Sequence, residues 1–180
     1  FALSGASKLL ALPQLKAAWI AVSGPRTLRE EALARLEVIA DSYLSVSGLV
    51  QLALPELLRA RDVIVREVTA RVTASRSRLA AVVAASGQLE LLPSEGGWAA
   101  ILRLRGAPPP DEDAFVAALL DGPGVAIHPG WLFDVPPEDE QGRSVSHLVL
   151  SMLLEPADVE RGAAAIAAAL GTQRGARSSR

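Results

Sequence analysis

Cysteine is absent from the 180 residues, histidine occurs only twice, and charge of neither sign is in marked excess. Without cysteine there is no disulfide frame, no thiolate nucleophile and no Cys-ligated zinc. His128 and His147 are then the only imidazoles a metal could find, so no metal is expected. Long hydrophobic runs are missing too: stretches such as residues 163–170 fall far short of the roughly 20 residues that cross a bilayer. No basic-then-apolar signal opens the chain, and the cytoplasm is the expected compartment. With 18 Lys+Arg against 20 Asp+Glu the net charge is −2, so neither nucleic acid nor membrane is an expected partner. What remains is an ordinary globular composition, half hydrophobic and 21% charged. It suits one sizeable domain, or a small domain with part of another.

Phe1-Ala2-Leu3-Ser4 reads as an extended, buried strand, as though the chain begins in mid-fold. The Lys8 loop and a turn at Pro13 lead to a second strand ending at Ser23-Gly24-Pro25. Thr27-Leu28-Arg29-Glu30 has the form of a capping box, and Leu28, Ala32, Leu36, Ile39 and Tyr43 follow at helical spacing, which predicts a helix over about 28–44. A short apolar helix stopped at Pro55 leads into a long one from near Arg59. Val65, Val68, Val72, Leu79 and Val83 form its stripe, and Gly87 ends it. Its arginines, interleaved with Asp62 and Glu67, read as a solvated face.

Residues 88–92 and 98–104 read as strands joined by a turn, and Pro108-Pro109-Pro110-Asp111 introduces a helix with Asp111 as N-cap and Phe115 and Leu119 inward. A strand over 125–128 is stopped by Pro129-Gly130. A polar excursion, 135–143, is followed by a strand at 148–153 and a helix at 157–170, and residues 171–180 are expected to be disordered. Strands and helices in two layers make an α/β or α+β domain.

The stretch with the most chemistry in it is Ser4-Gly5-Ala6-Ser7-Lys8 through Lys16-Ala17-Ala18-Trp19. It resembles the cofactor-lysine segment of fold-type I pyridoxal phosphate enzymes, in particular class I/II aminotransferases, in which a Ser-Lys pair is followed eight residues later by a cation. Lys8 and Lys16 stand at that spacing. A Schiff base with the cofactor aldehyde needs an amine that is neutral when it attacks, and the cofactor phosphate needs a cation and hydroxyl donors. The resemblance implies that Lys8 holds the cofactor and shuttles the α-proton, that Lys16 meets the phosphate and that Ser7 supports the same site. Two positions depart from the family: Lys16 stands where Arg is commoner, and Gly5 where a Ser usually precedes the lysine by three.

The resemblance runs on to about residue 170 through Gly96-Gly97-Trp98 and the segment from Gly124 to Gly130. It implies the end of a large cofactor-binding domain over 1–58, a complete α/β small C-terminal domain over 59–170, and a chain that is the C-terminal part of an enzyme, a homodimer when full-length. Val149 stands where the family's final strand carries the Arg that clamps the substrate carboxylate. Arg143 or His147 then becomes the expected replacement, with His128 and Trp98 as further substrate-facing candidates. The implied activity is amino transfer between an amino acid and a 2-oxo acid. A lyase or decarboxylase on the same fold, and the aminotransferase-like sensing domain of a transcription regulator, are the alternatives.

Overall fold

The structure is a computed structural model that describes residues 1–105, 111–139 and 141–178, the side chains of 173–178 excepted. The expected turn at Pro108-Pro109-Pro110, and Glu140 of the acidic loop, lie outside the described residues. Two compact units divide at Thr69/Ala70. This division falls inside one unbroken helix, α4 (Arg61–Ser86).

In the first unit β1 (Ala2–Gly5) pairs antiparallel with β2 (Ala18–Ala21), Ser4 opposite Trp19 and Gly5 opposite Ala18. Between them lie α1 (Ala6–Leu9) and a 3-10 turn, Pro13–Leu15. Contrary to the expectation of a buried first strand, Phe1, Ala2, Leu3 and Ser4 are exposed, because within this unit β1 has β2 as its single strand neighbour. The core here is small. Ala6, Leu10 and Ala17 are buried, with Val46, Val50, Leu54 and Leu57 packed against them.

The next helix, α2 (Arg26–Asp41), starts and stops earlier than its periodicity predicts, and the capping box does not form. Pro25 occupies the N-cap without a side-chain bond, and Glu30 instead accepts from Arg26 Nε at 2.7 Å, one turn back. Pro55 does not stop α3 (Gly48–Arg59) either. A proline inside a helix loses one backbone hydrogen bond, but Leu54 and Leu57 on either side of it are held on the Leu10 cluster.

The second unit is a four-stranded antiparallel sheet in the order β3-β4-β6-β5: β3 (Leu89–Leu91), β4 (Ala99–Leu104), β5 (His128–Pro129) and β6 (His147–Ser151). The strand read over 125–128 is thus reduced to its end, and the last strand begins one residue earlier than expected. Side chains alternate across a sheet. Ala100, Leu102, Leu104 and Leu148 enter the core with Leu79 of α4, Phe115 and Leu119 of α5 (Glu112–Asp121), and Val159, Ala163 and Ile166 of α6 (Pro156–Ser178). Burial of a leucine such as Leu102 contributes about 2 kcal/mol.

Gly87 ends α4 at φ 62, in the left-handed region where glycine is favoured. Asp111 caps α5 as expected, accepting from Ala114 N at 3.0 Å. Helix α6 continues past Leu170, where the expected disorder began, to Ser178. The arginines of α4 include Arg71 and Arg78, paired with Glu155 and Glu160, and Arg76, which donates to the Leu92 carbonyl at 2.9 Å.

Candidate functional site

Lys8 sits on one turn of helix rather than in an open loop. Ala6 and Leu10, four residues apart, point into the small core, so Lys8, midway between them, is carried on the opposite, exposed face of α1, and Ser7 is half-buried beside it. The segment is closed by backbone bonds from Ala6 N to Ala17 O at 2.9 Å and from Leu12 N to Ala6 O at 3.2 Å. Lys16 ends the 3-10 turn with φ 50, and Ala11 has φ 52. Left-handed backbone at residues with a Cβ costs about 1–2 kcal/mol each, and such conformations concentrate where a chain presents functional groups.

Gly5 has a steric role. A Cβ there would lie 3.0 Å from Ala17 O and 3.3 Å from Ala18 Cβ, so the close approach of β2 occupies the space a serine would need. A side chain at this position requires Ala17 and Ala18 to give by a few tenths of an ångström. Ser7, Lys8 and Lys16 are thus brought into one compact strand–helix–turn.

The other candidates belong to the second unit. On the sheet face turned away from the core, cross-strand rows place Ile101, Val149 and His128 side by side, and next to them Glu90, Arg103 and His147. His128 is exposed and meets Phe133 edge-on at 5.8 Å between ring centroids. Val149 is buried in the central strand. Trp98 is half-buried at the start of β4, its carbonyl accepting from Met152 N at 2.7 Å.

Arg143 lies in the 138–145 loop and not on the sheet. Its Nε donates to Asp139 Oδ2 at 2.6 Å, while the amides of Arg143 and Gln141 donate to Asp139 Oδ1 at 2.9 and 3.0 Å. The Arg143 side-chain bond, followed by its backbone amide, holds the Asp139 carboxyl below the usual range. His147 is buried, and burial, followed by the positive charge of Arg103, lowers its pKa; Glu112 and Glu90 act in the opposite direction.

Arg103 escaped the sequence reading because a strand alternating Ile, Leu, Arg, Leu looks merely apolar. Its signal was the parity: Arg103 shares a face with Ile101, opposite the buried Leu102 and Leu104. Among the described residues no group of three or more acidic or imidazole side chains could hold a metal ion, and no helix is long and apolar enough to cross a membrane.

A strand–helix–strand segment presenting a Ser-Lys pair, followed along the chain by an α/β unit with an antiparallel sheet, matches the end of a fold-type I transferase. The chain belongs to the aminotransferase class I and II family, whose sequence pattern matches residues 1–166. Among solved structures, an aminotransferase from Mycobacterium tuberculosis is 25% identical with a TM-score of 0.67, over 94% of this chain and 41% of that one. The aspartate aminotransferase of Rhizobium meliloti is 22% identical, TM-score 0.65, over 93% of this chain and 41% of its own length. The α-aminoadipate aminotransferase of Thermus thermophilus, solved with N-(5'-phosphopyridoxyl)-L-leucine, is 21% identical, TM-score 0.60, over 94% of this chain and 41% of its own. This chain therefore spans about 41% of the length of these structures. No curated protein matches it.

Proposed function

We propose that this chain carries the cofactor lysine of a pyridoxal-phosphate-dependent aminotransferase, which moves an amino group between an amino acid and a 2-oxo acid. The observation that carries the reading is the exposed Lys8 beside Ser7 on α1, with Lys16 in left-handed backbone closing the same segment, in a chain of the aminotransferase class I and II family. The donor set fits an aldehyde that bears a phosphate: a primary amine on an exposed helical face, a half-buried hydroxyl next to it, and a second cation on a turn whose backbone is fixed by Lys16 N to Pro13 O at 3.3 Å. When bound, pyridoxal phosphate supplies an electron sink that stabilises negative charge at the substrate α-carbon.

In this reading Lys8 would hold the cofactor through its Nζ and would carry the substrate α-proton as general base and acid. Lys16 acts as a point charge toward the phosphate, without the bidentate fork an arginine would offer. Ser7 donates its hydroxyl to the same group. Residues 1–58 then act as the end of the large domain and 59–170 as the small one. Arg143, paired with Asp139 in the resting loop, His128 and Trp98 are kept as substrate-facing candidates, and the working protein is a cytoplasmic homodimer. Family membership supports the homodimer and the compartment.

The test is borohydride reduction of the protein in the presence of pyridoxal phosphate, followed by peptide mapping. The label is expected on Lys8 and absent from Lys8→Ala, which keeps its fold and loses turnover. A label on Lys16, or none, refutes the reading.

A further inference from the structure

Strand β5 leads directly into a 3-10 turn, Gly130–Phe133. Gly130 is buried, but the side chains of Trp131, Leu132 and Phe133 are 55%, 50% and 56% exposed, so burial holds the rest of the turn only weakly. Two backbone bonds close it, Asp134 N to Trp131 O at 3.2 Å and Val135 N to Gly130 O at 3.3 Å. Both lie at or beyond the long end of the usual range of about 2.7–3.2 Å. The chain leaves through Asp134 in left-handed backbone, φ 53, which a residue with a Cβ disfavours. A turn built in this way needs a tie from outside itself.

Asp113 supplies one. Trp131 Nε1 donates to Asp113 Oδ1 at 3.0 Å across 18 positions of sequence, and a carboxylate acceptor makes this a charge-assisted bond. Asp113 stands in the first turn of α5, a helix anchored in the core by Phe115 and Leu119. Asp111 already caps that helix, so the carboxylate of Asp113 is left for the indole.

On the other side of the turn Phe133 meets His128 edge-on, an arrangement aromatic rings prefer. The backbone of His128 is set by its pairing with Val149. Its imidazole is exposed and, among the described residues, has no hydrogen bond or ion pair, so the ring of Phe133 is what fixes its rotation. We propose that Asp113 is a positioning residue for His128: through Trp131 it holds the 130–133 turn, and the turn holds Phe133 against the imidazole. The inference rests on the reading of His128 as a substrate-facing group, and a group already oriented loses less freedom when it meets its ligand.

The experiment measures, by NMR on the full chain, the cross-relaxation between the His128 imidazole protons and the Phe133 ring. A clear cross-peak is expected in the parent. In Asp113→Ala it should fall by about threefold, because a side chain released from its contact spreads over about three staggered wells. Trp131→Phe keeps a ring and loses the N–H, and should give the same fall. Asp113→Asn keeps an acceptor at Oδ1 while losing the charge, and should restore the cross-peak, which a purely electrostatic role at the start of α5 would not do. The amide signals of His147 and Val149 should stay in place throughout, since β6 is not part of the tie. If Asp113→Ala disturbs α5 itself, Trp131→Phe decides. The proposal is overturned if the parent shows no cross-peak, if Trp131→Phe keeps it at parental strength, or if Asp113→Asn loses as much of it as Asp113→Ala. These signals arise without pyridoxal phosphate, so failure of the Lys8 label and failure of this tie are separate results.

Discussion

Replacing Gly130 by alanine tests how tightly the second unit is built around His147. The added Cβ would lie 2.6 Å from His147 Cβ, 3.2 Å from the His147 carbonyl oxygen and 3.3 Å from Val135 Cβ. Carbon atoms in contact prefer about 3.5–4.0 Å, so the first contact is short by roughly 1 Å. No rotation relieves it, because both carbons are fixed directly to backbone. Either the turn after β5 or strand β6 must move, and β6 is an inner strand, with His147 opposite Arg103. Overpacking of this kind costs about 1–3 kcal/mol. For a chain of this size that is a fall in Tm of roughly 2–12 °C. Gly96→Ala is the control, since a Cβ there meets nothing within 4 Å and its φ lies outside the left-handed range. Thermal unfolding of parent, Gly130→Ala and Gly96→Ala measures the difference directly. If Gly130→Ala melts within about 1 °C of Gly96→Ala, the packing argument is wrong, since that gap is below the smallest cost assigned to the clash.

Two pH predictions follow from the same unit. His147 has its pKa lowered mainly by burial, so the folded chain resists its protonation more than the unfolded chain does. Its contribution to stability is complete above the unfolded value of about 6.5 and is lost as the pH falls through the depressed folded value; His147→Gln should flatten the pH dependence of denaturant unfolding in that window, and an unchanged slope would refute the assignment. The Asp139 carboxyl, lowered by Arg143, should titrate by NMR below the usual value of about 3.9. The stability it lends the loop is present above that unfolded value and is lost as the pH falls through the lower folded one. Arg143→Gln is expected to bring the midpoint back up, and a midpoint that stays put would show that the arginine is not the cause.

The sequence by itself determined what depends on neighbours within a turn or two. Gly87 ends α4 because the chain there turns left-handed, Asp111 caps α5 because its carboxylate reaches an amide three residues on, and Val159, Ala163 and Ile166 enter the core because their spacing is that of one helical face. The Ser7-Lys8 pair and Lys16 were legible for a similar reason: their chemistry rides on a spacing of eight residues inside one short segment.

Tertiary structure decided the rest, even where local rules spoke clearly. The Thr27–Glu30 box yields to an Arg26–Glu30 pair because an exposed glutamate has several partners of similar strength, and α3 passes through Pro55 because the leucines around it are anchored elsewhere. Gly5 looked like a missing hydroxyl until the approach of Ala17 and Ala18 made it a clearance. Arg143 looked like the available cation until Asp139 was found holding it, while Arg103 drew no notice between two leucines. Glu90, Arg103 and His147 are far apart in the chain and become one row only through the register of β3, β4 and β6. Charge and burial act through space. A sequence fixes which residues share a helix face or a strand face, but the pairing of strands sets which charges face one another across a cleft.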